Sequence, residues 1–196
     1  MFIFFSTNLP HGPVDIPPEE NTYAGSPSIR QAYGNASGTN RECSGAAEEY
    51  ASMVDKLDRQ VGAIVDQVRK LGLDKRTIII FSSDNGHELY YRTDKGRGRG
   101  PNCHGGVLDG TGELLDVFRG SRGRIGPNNA MANLAGLKWT SHEGGIRVPL
   151  IISWPGTLPY GKVCHSLVAN YDHMASFADL AGVRMPEGKD AVSYIE

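Results

Sequence analysis

Asp84, Asn85 and Gly86 follow directly on an apolar, β-branched run, Thr77-Ile-Ile-Ile-Phe-Ser-Ser83. A carboxylate and an amide side by side offer the oxygen donors that a hard cation such as calcium or magnesium requires. In parallel α/β sheets, ligands bind beyond the carboxyl ends of the strands, which is where this pair falls. Asn-Gly is equally an ordinary turn signal, so the pair by itself leaves both readings open. A second chemical segment is Lys138-Trp-Thr-Ser-His142-Glu143-Gly144-Gly145-Ile-Arg147-Val-Pro149. Its glycine pair permits close backbone approach, so Glu143 and Arg147 can meet as a structural ion pair at the entrance to a strand. Lys138 is then available to an anion as a compact point charge, the alternative being a solvated surface lysine.

The elements that must position these residues are legible from hydrophobic periodicity. Residues 2–6, Phe-Ile-Phe-Phe-Ser, read as a first strand, followed by a proline-rich loop from Pro10 to Pro18. A long helix is expected from about Ala46 to Leu71. Tyr50, Met53, Val54, Leu57, Val61, Ile64, Val65, Val68 and Leu71 repeat there at three-and-four spacing. Ser44 suits its N-cap, Glu48 and Glu49 suit its first turn, and Gly72 suits its C-terminal stop. The runs 77–83 and 148–154 read as strands buried on both faces, because they are nearly continuous in apolar residues. Asp172 is placed to cap a short helix over 173–181, with Gly182 as its stop. The expected fold is therefore α/β, part of a mostly parallel sheet flanked by helices, incomplete at both ends. Its core elements lie at about 1–18, 44–86 and 138–196, with long loops at 19–43 and 87–137.

Composition narrows the function classes. The formal net charge is −2 over 196 residues, which gives no global pull toward nucleic acid or anionic membrane. No apolar run reaches transmembrane length. Cys43, Cys103 and Cys164 form neither a disulfide framework nor a Cys-x-x-Cys metal site. Cys103-His104 lacks a second pair at ligand spacing. The glycine-rich basic stretches that hold Arg97, Arg99, Arg119, Arg122 and Arg124 could grip sulfate groups, or could simply be solvated loop.

These segments, in this order, resemble the sulfatase family of the alkaline-phosphatase-like superfamily. The similar parts are Phe2–Phe5 with Pro10-His11-x-Pro13; Leu71-Gly-Leu-Asp-x-x-Thr77 through Asp84-Asn85-Gly86; Lys138 through Pro149 and on to Trp154-Pro-Gly156; and Tyr171-Asp172-His-Met with Ala178-Asp-Leu-Ala-Gly182. The resemblance implies hydrolysis of sulfate esters by a formylglycine acting beside a calcium ion, with magnesium the lesser alternative. It implies that Asp84 and Asn85 are metal ligands and that Lys138 binds a sulfate oxygen. It implies too that His11 contacts the sulfate and helps protonate the leaving oxygen; His87, directly after the metal-binding pair, could line the substrate site or be a simple exposed loop residue. Cations aimed at the charge that develops on the sulfate oxygens lower the barrier, and a histidine near neutral pKa suits proton transfer. His142 and His173 are expected to be structural.

The family's Cys/Ser-x-Pro-x-Arg nucleophile motif does not occur in the sequence, nor does its opening aspartate pair. The expectation is an internal piece of a sulfatase catalytic domain, inactive alone, whose partner is a sulfated small molecule or glycan. Export of the full-length protein, to the periplasm or outside the cell, fits the family. Two alternatives stand beside it: a non-catalytic remnant that binds calcium or sulfated glycan, and a phosphodiesterase or phosphonate hydrolase of the same superfamily.

Overall fold

The computed structural model describes residues 1–12, 14–29, 41–86, 138–186, 188 and 191–194. They fall into two units, Met1–Leu158 and Pro159–Glu196. His87 and the arginines 97–124 lie outside the described residues.

The first unit is organised by helix α1, Arg41–Lys70. It begins five residues before the expected start, so Ser44 lies within the helix and does not cap it. Extending an existing helix by good formers such as Arg41 and Glu42 costs little once it is nucleated. The C-terminus is as expected. Gly72 takes φ +67°, Leu73 N–H donates to Val68 O at 3.0 Å, and Gly72 N–H donates to Arg69 O at 2.9 Å. This is the paired-bond stop that a glycine beyond the last turn permits.

Among the described residues, the buried core on α1 lies along its N-terminal half. Met53 packs with Val14 and Ile16, all three at most 6% exposed, and Leu9, Ile29 and Tyr50 close around them. Farther along, Val54, Ile64 and Leu71 are exposed, although they belong to the same apolar repeat. Periodicity identified a helix with an apolar side. Among the described residues, what covers that side is the segment 9–29, and it reaches only part of the way.

Strand β1, Ile79–Ser82, pairs antiparallel with β2, Leu150–Ser153, in the register Ile79 with Ser153 and Ser82 with Leu150. The parallel arrangement expected from the apolar runs is not found between these two strands. Nor are the strands buried on both faces: β1 is at most half-buried, and Ile151 of β2 is 60% exposed. Continuous apolarity marks a strand, while its burial and direction depend on the neighbours it meets. The Trp154 indole N–H donates to Lys75 O at 3.1 Å and ties the end of β2 to the turn that leads into β1. Residues 2–6 are not a strand. Segment 1–8 has no regular structure, and Phe2, Ile3, Phe4 and Phe5 are 59–81% exposed. A four-residue helix, α2 (Glu143–Ile146), precedes β2.

The second unit is built on helix α3, Asp172–Leu180, with Gly182 at φ +66° closing it as Gly72 closes α1. Asp172 is not its N-cap. Its carboxylate accepts the N–H of Ala169 at 2.8 Å and that of Val192 at 3.1 Å, and these bonds hold its pKa below the usual carboxylate value. His173 has the expected structural role, with Nδ1 2.6 Å from the Tyr194 hydroxyl and its ring stacked on Phe177. Among the described residues, no helix is long and apolar enough to cross a membrane.

Candidate active site

The end of β1 turns into Ser83-Asp84-Asn85-Gly86, and this turn is seated on α2. Gly86 N–H donates to Gly145 O at 2.9 Å. A Cβ added at Gly86 would come within 1.9 Å of Gly144 O, a backbone atom with no flexible end to move aside. Gly144 and Gly145 are themselves buried. The close approach that the glycine pair suggested is therefore made, and its other party is Gly86. Arg147 pairs with Glu143 at 3.2 Å as expected, on an exposed surface.

Within the turn, Asn85 Nδ2 donates to Asp84 Oδ1 at 2.6 Å and Ser83 Oγ donates to Asn85 O at 3.0 Å. Burial works to raise the pKa of Asp84. It is outweighed by the Asn85 amide, the backbone N–H groups of Asp84 and Asn85, and the charge of Lys138. The net shift is downward, so the carboxylate is ionised near neutrality.

Lys138 also meets His11, 127 positions away in sequence, with Nζ 3.1 Å from Nε2. The His11 Nδ1 lies 2.6 Å from Gly12 O. A carbonyl only accepts, so Nδ1 carries the hydrogen and, in the neutral ring, Nε2 presents its lone pair to the lysine ammonium. The Lys138 ammonium also lies 5.5 Å from the centroid of the Trp139 ring. Trp139 has φ +73°, an uncommon conformation for a bulky residue, and it reverses the chain directly after Lys138. His11 is placed by a short turn in which its N–H donates to Asn8 O at 2.7 Å.

Of the five residues singled out from sequence, His11 meets Lys138 and Asp84 meets Asn85, and the charge of Lys138 is the smallest of the influences on Asp84. His87 lies outside the described residues. Among the described residues no group of three or more His, Cys, Asp or Glu side chains gathers at metal-ligand spacing. The donor chemistry of Asp84 and Asn85 nevertheless fits a hard cation: an ionised carboxylate and an amide carbonyl are oxygen donors, two of the six to eight that calcium takes. Sequence reading missed Ser52 of α1 and assigned Glu48 to the first turn of a helix that begins at Arg41; these residues are 0% and 5% exposed. The available signal was a glutamate and a serine four positions apart, on one face of the helix beside the apolar stripe that holds Met53.

Comparison with known proteins matches the sulfatase family model to residues 1–183. The chain is 29% identical over 140 residues to N-acetylgalactosamine-6-sulfatase of Mus musculus, covering 71% of this chain and 21% of that protein. It is 31% identical over 147 residues to arylsulfatase of Klebsiella aerogenes, covering 68% and 29% respectively. Among solved structures, that of Ps i-CgsB in complex with k-i-k-neocarrahexaose aligns with a TM-score of 0.58 at 27% identity, covering 94% of this chain and 30% of that one. The chain belongs to the sulfatase family. It spans between about a fifth and three tenths of the length of these curated relatives.

Proposed function

We propose that this chain carries the cation-binding and sulfate-binding half of a sulfuric ester hydrolase site. The observation that carries the reading is the meeting of Lys138 with His11, 3.1 Å apart across 127 positions of sequence. Asp84 and Asn85 would hold calcium, which when bound neutralises charge on a sulfate oxygen. Lys138 donates to a second sulfate oxygen as a point charge. When it does so it leaves Nε2 of His11, which is then the ring atom able to carry a proton to the departing ester oxygen. The Nδ1 bond to Gly12 holds the ring for that role. Sulfated carbohydrate is the substrate class supported by the N-acetylgalactosamine-6-sulfatase relative and by the neocarrahexaose complex.

The sequence contains no Cys/Ser-x-Pro-x-Arg from which the family's formylglycine would be made. Our reading is that this chain alone binds sulfate without turning it over. Calorimetric titration of the 196-residue chain with calcium and then with inorganic sulfate tests this, alongside an aryl sulfate assay. The expected result is calcium-dependent sulfate binding, abolished in Lys138→Ala and Asp84→Ala, with no hydrolysis above the buffer blank. Absence of sulfate binding, or binding indifferent to Lys138→Ala, would overturn the site assignment; hydrolysis would overturn the binding-only reading.

A further inference from the structure

The loop that follows His11 lies along one stripe of α1, and polar groups buried in that stripe hold it. Ser52 Oγ donates to Asn21 Oδ1 at 2.8 Å and to Glu48 O at 2.9 Å, and it receives the N–H of Tyr23 at 3.1 Å. One hydroxyl has one hydrogen, so its two donor contacts share it. The Glu48 carboxylate accepts the N–H of Gly25 at 2.9 Å. Farther along the stripe, Thr22 Oγ1 donates to Asp55 at 3.2 Å, and Lys56 pairs with Glu20. Between this network and the site, Val14 and Ile16 are pressed against Met53. His11 lies three residues before Val14.

Burying a carboxylate and a hydroxyl in a helix stripe is costly unless both are bonded. An apolar stripe would pack a featureless loop at least as well. What Glu48 and Ser52 add is register, because they recognise individual backbone N–H groups, at Tyr23 and Gly25, which apolar contact cannot distinguish. A slip of one residue in the loop would leave buried acceptors unmatched and move His11 by about 3.3 Å, the rise of one extended residue. That is as long as its 3.1 Å contact with Lys138.

We propose that Ser52 and Glu48 are positioning residues, which set the register of loop 9–25 on α1 and so hold His11 against Lys138. The inference rests on the reading of His11 and Lys138 as sulfate-binding residues for its functional meaning. Its test is separate, because the state of the His11 ring can be read without any ligand. In histidine-labelled protein, nitrogen NMR distinguishes the Nδ1–H tautomer, which the bonds to Gly12 and Lys138 require, from the Nε2–H form that predominates for free histidine in water. The expected result is an Nδ1–H signature for His11 in the wild type that collapses toward the free-histidine pattern in Ser52→Ala and is restored in Ser52→Thr. Asn21→Ala removes an acceptor of the same hydroxyl from the loop side, so it gives the same readout should Ser52→Ala fail to fold. Sulfate affinity should weaken roughly tenfold in either variant, the size of coupling seen within one bonded network. Folded variants that lose thermal stability but keep the His11 tautomer would overturn the positioning role.

Discussion

Two loops bring chemistry to this site, and they are held by different means. Asp84–Gly86 is locked backbone to backbone, with Gly86 seated against Gly144 and Gly145 where no side-chain atom fits. The loop of His11 is held by side chains of α1, through Met53 packing and the Ser52 and Glu48 bonds. The first kind of seam has one solution, because a backbone carbonyl cannot rotate out of the way. The second is a sum of moderate terms, each of which can weaken while the rest persist. The pair proposed to present oxygens to a cation, Asp84 and Asn85, sits on the rigid seam. His11, proposed to exchange Lys138 for a leaving oxygen, sits on the more forgiving one.

The largest effect that would test this contrast is Gly86→Ala. It should cost about 3 kcal/mol or more in urea unfolding and abolish calcium binding, because overpacking here meets backbone and cannot relax. If Gly86→Ala kept wild-type calcium affinity, the rigid seam would not be what places Asp84 and Asn85. Next in size is Met53→Ala, which should lower stability by about 2 kcal/mol through the cavity it leaves. It should blur the His11 tautomer signal while leaving calcium binding by Asp84 within about twofold of wild type, since the two loops have separate supports. Comparable loss at both loops would merge them into one cooperative unit. The smallest effect belongs to Arg147→Ala. Its ion pair with Glu143 is exposed on both sides, so the change in unfolding free energy should be within about 0.5 kcal/mol. A larger loss would mean that α2 depends on this pair, and not on the glycine seam, for its position.

Much of this was legible in the order of residue types. The three-and-four repeat located the long helix, Gly72 and Gly182 marked two helix ends, and the apolar runs located both strands. The Glu143–Arg147 pair followed from the glycines between them. The errors have one physical source. Residues 2–6 are as apolar as any strand, yet a strand exists only where a neighbour supplies the other half of its hydrogen bonds. Ser44 could cap a helix, but a helix that propagates past it has no use for the cap. Asp172 could cap as well, but the carboxylate found better use on the backbone N–H groups of Ala169 and Val192.

By itself, the sequence determined the residue types available for chemistry and the local periods that build the elements carrying them, because both depend on neighbours within a few positions. Only the tertiary structure decided that Lys138 faces His11 across 127 positions, that Gly86 must be glycine because of Gly144, and that Glu48 belongs to Gly25 and not to a helix dipole. Those are relations between distant segments. They exist once burial has brought the segments together and each buried polar group has had to find a partner.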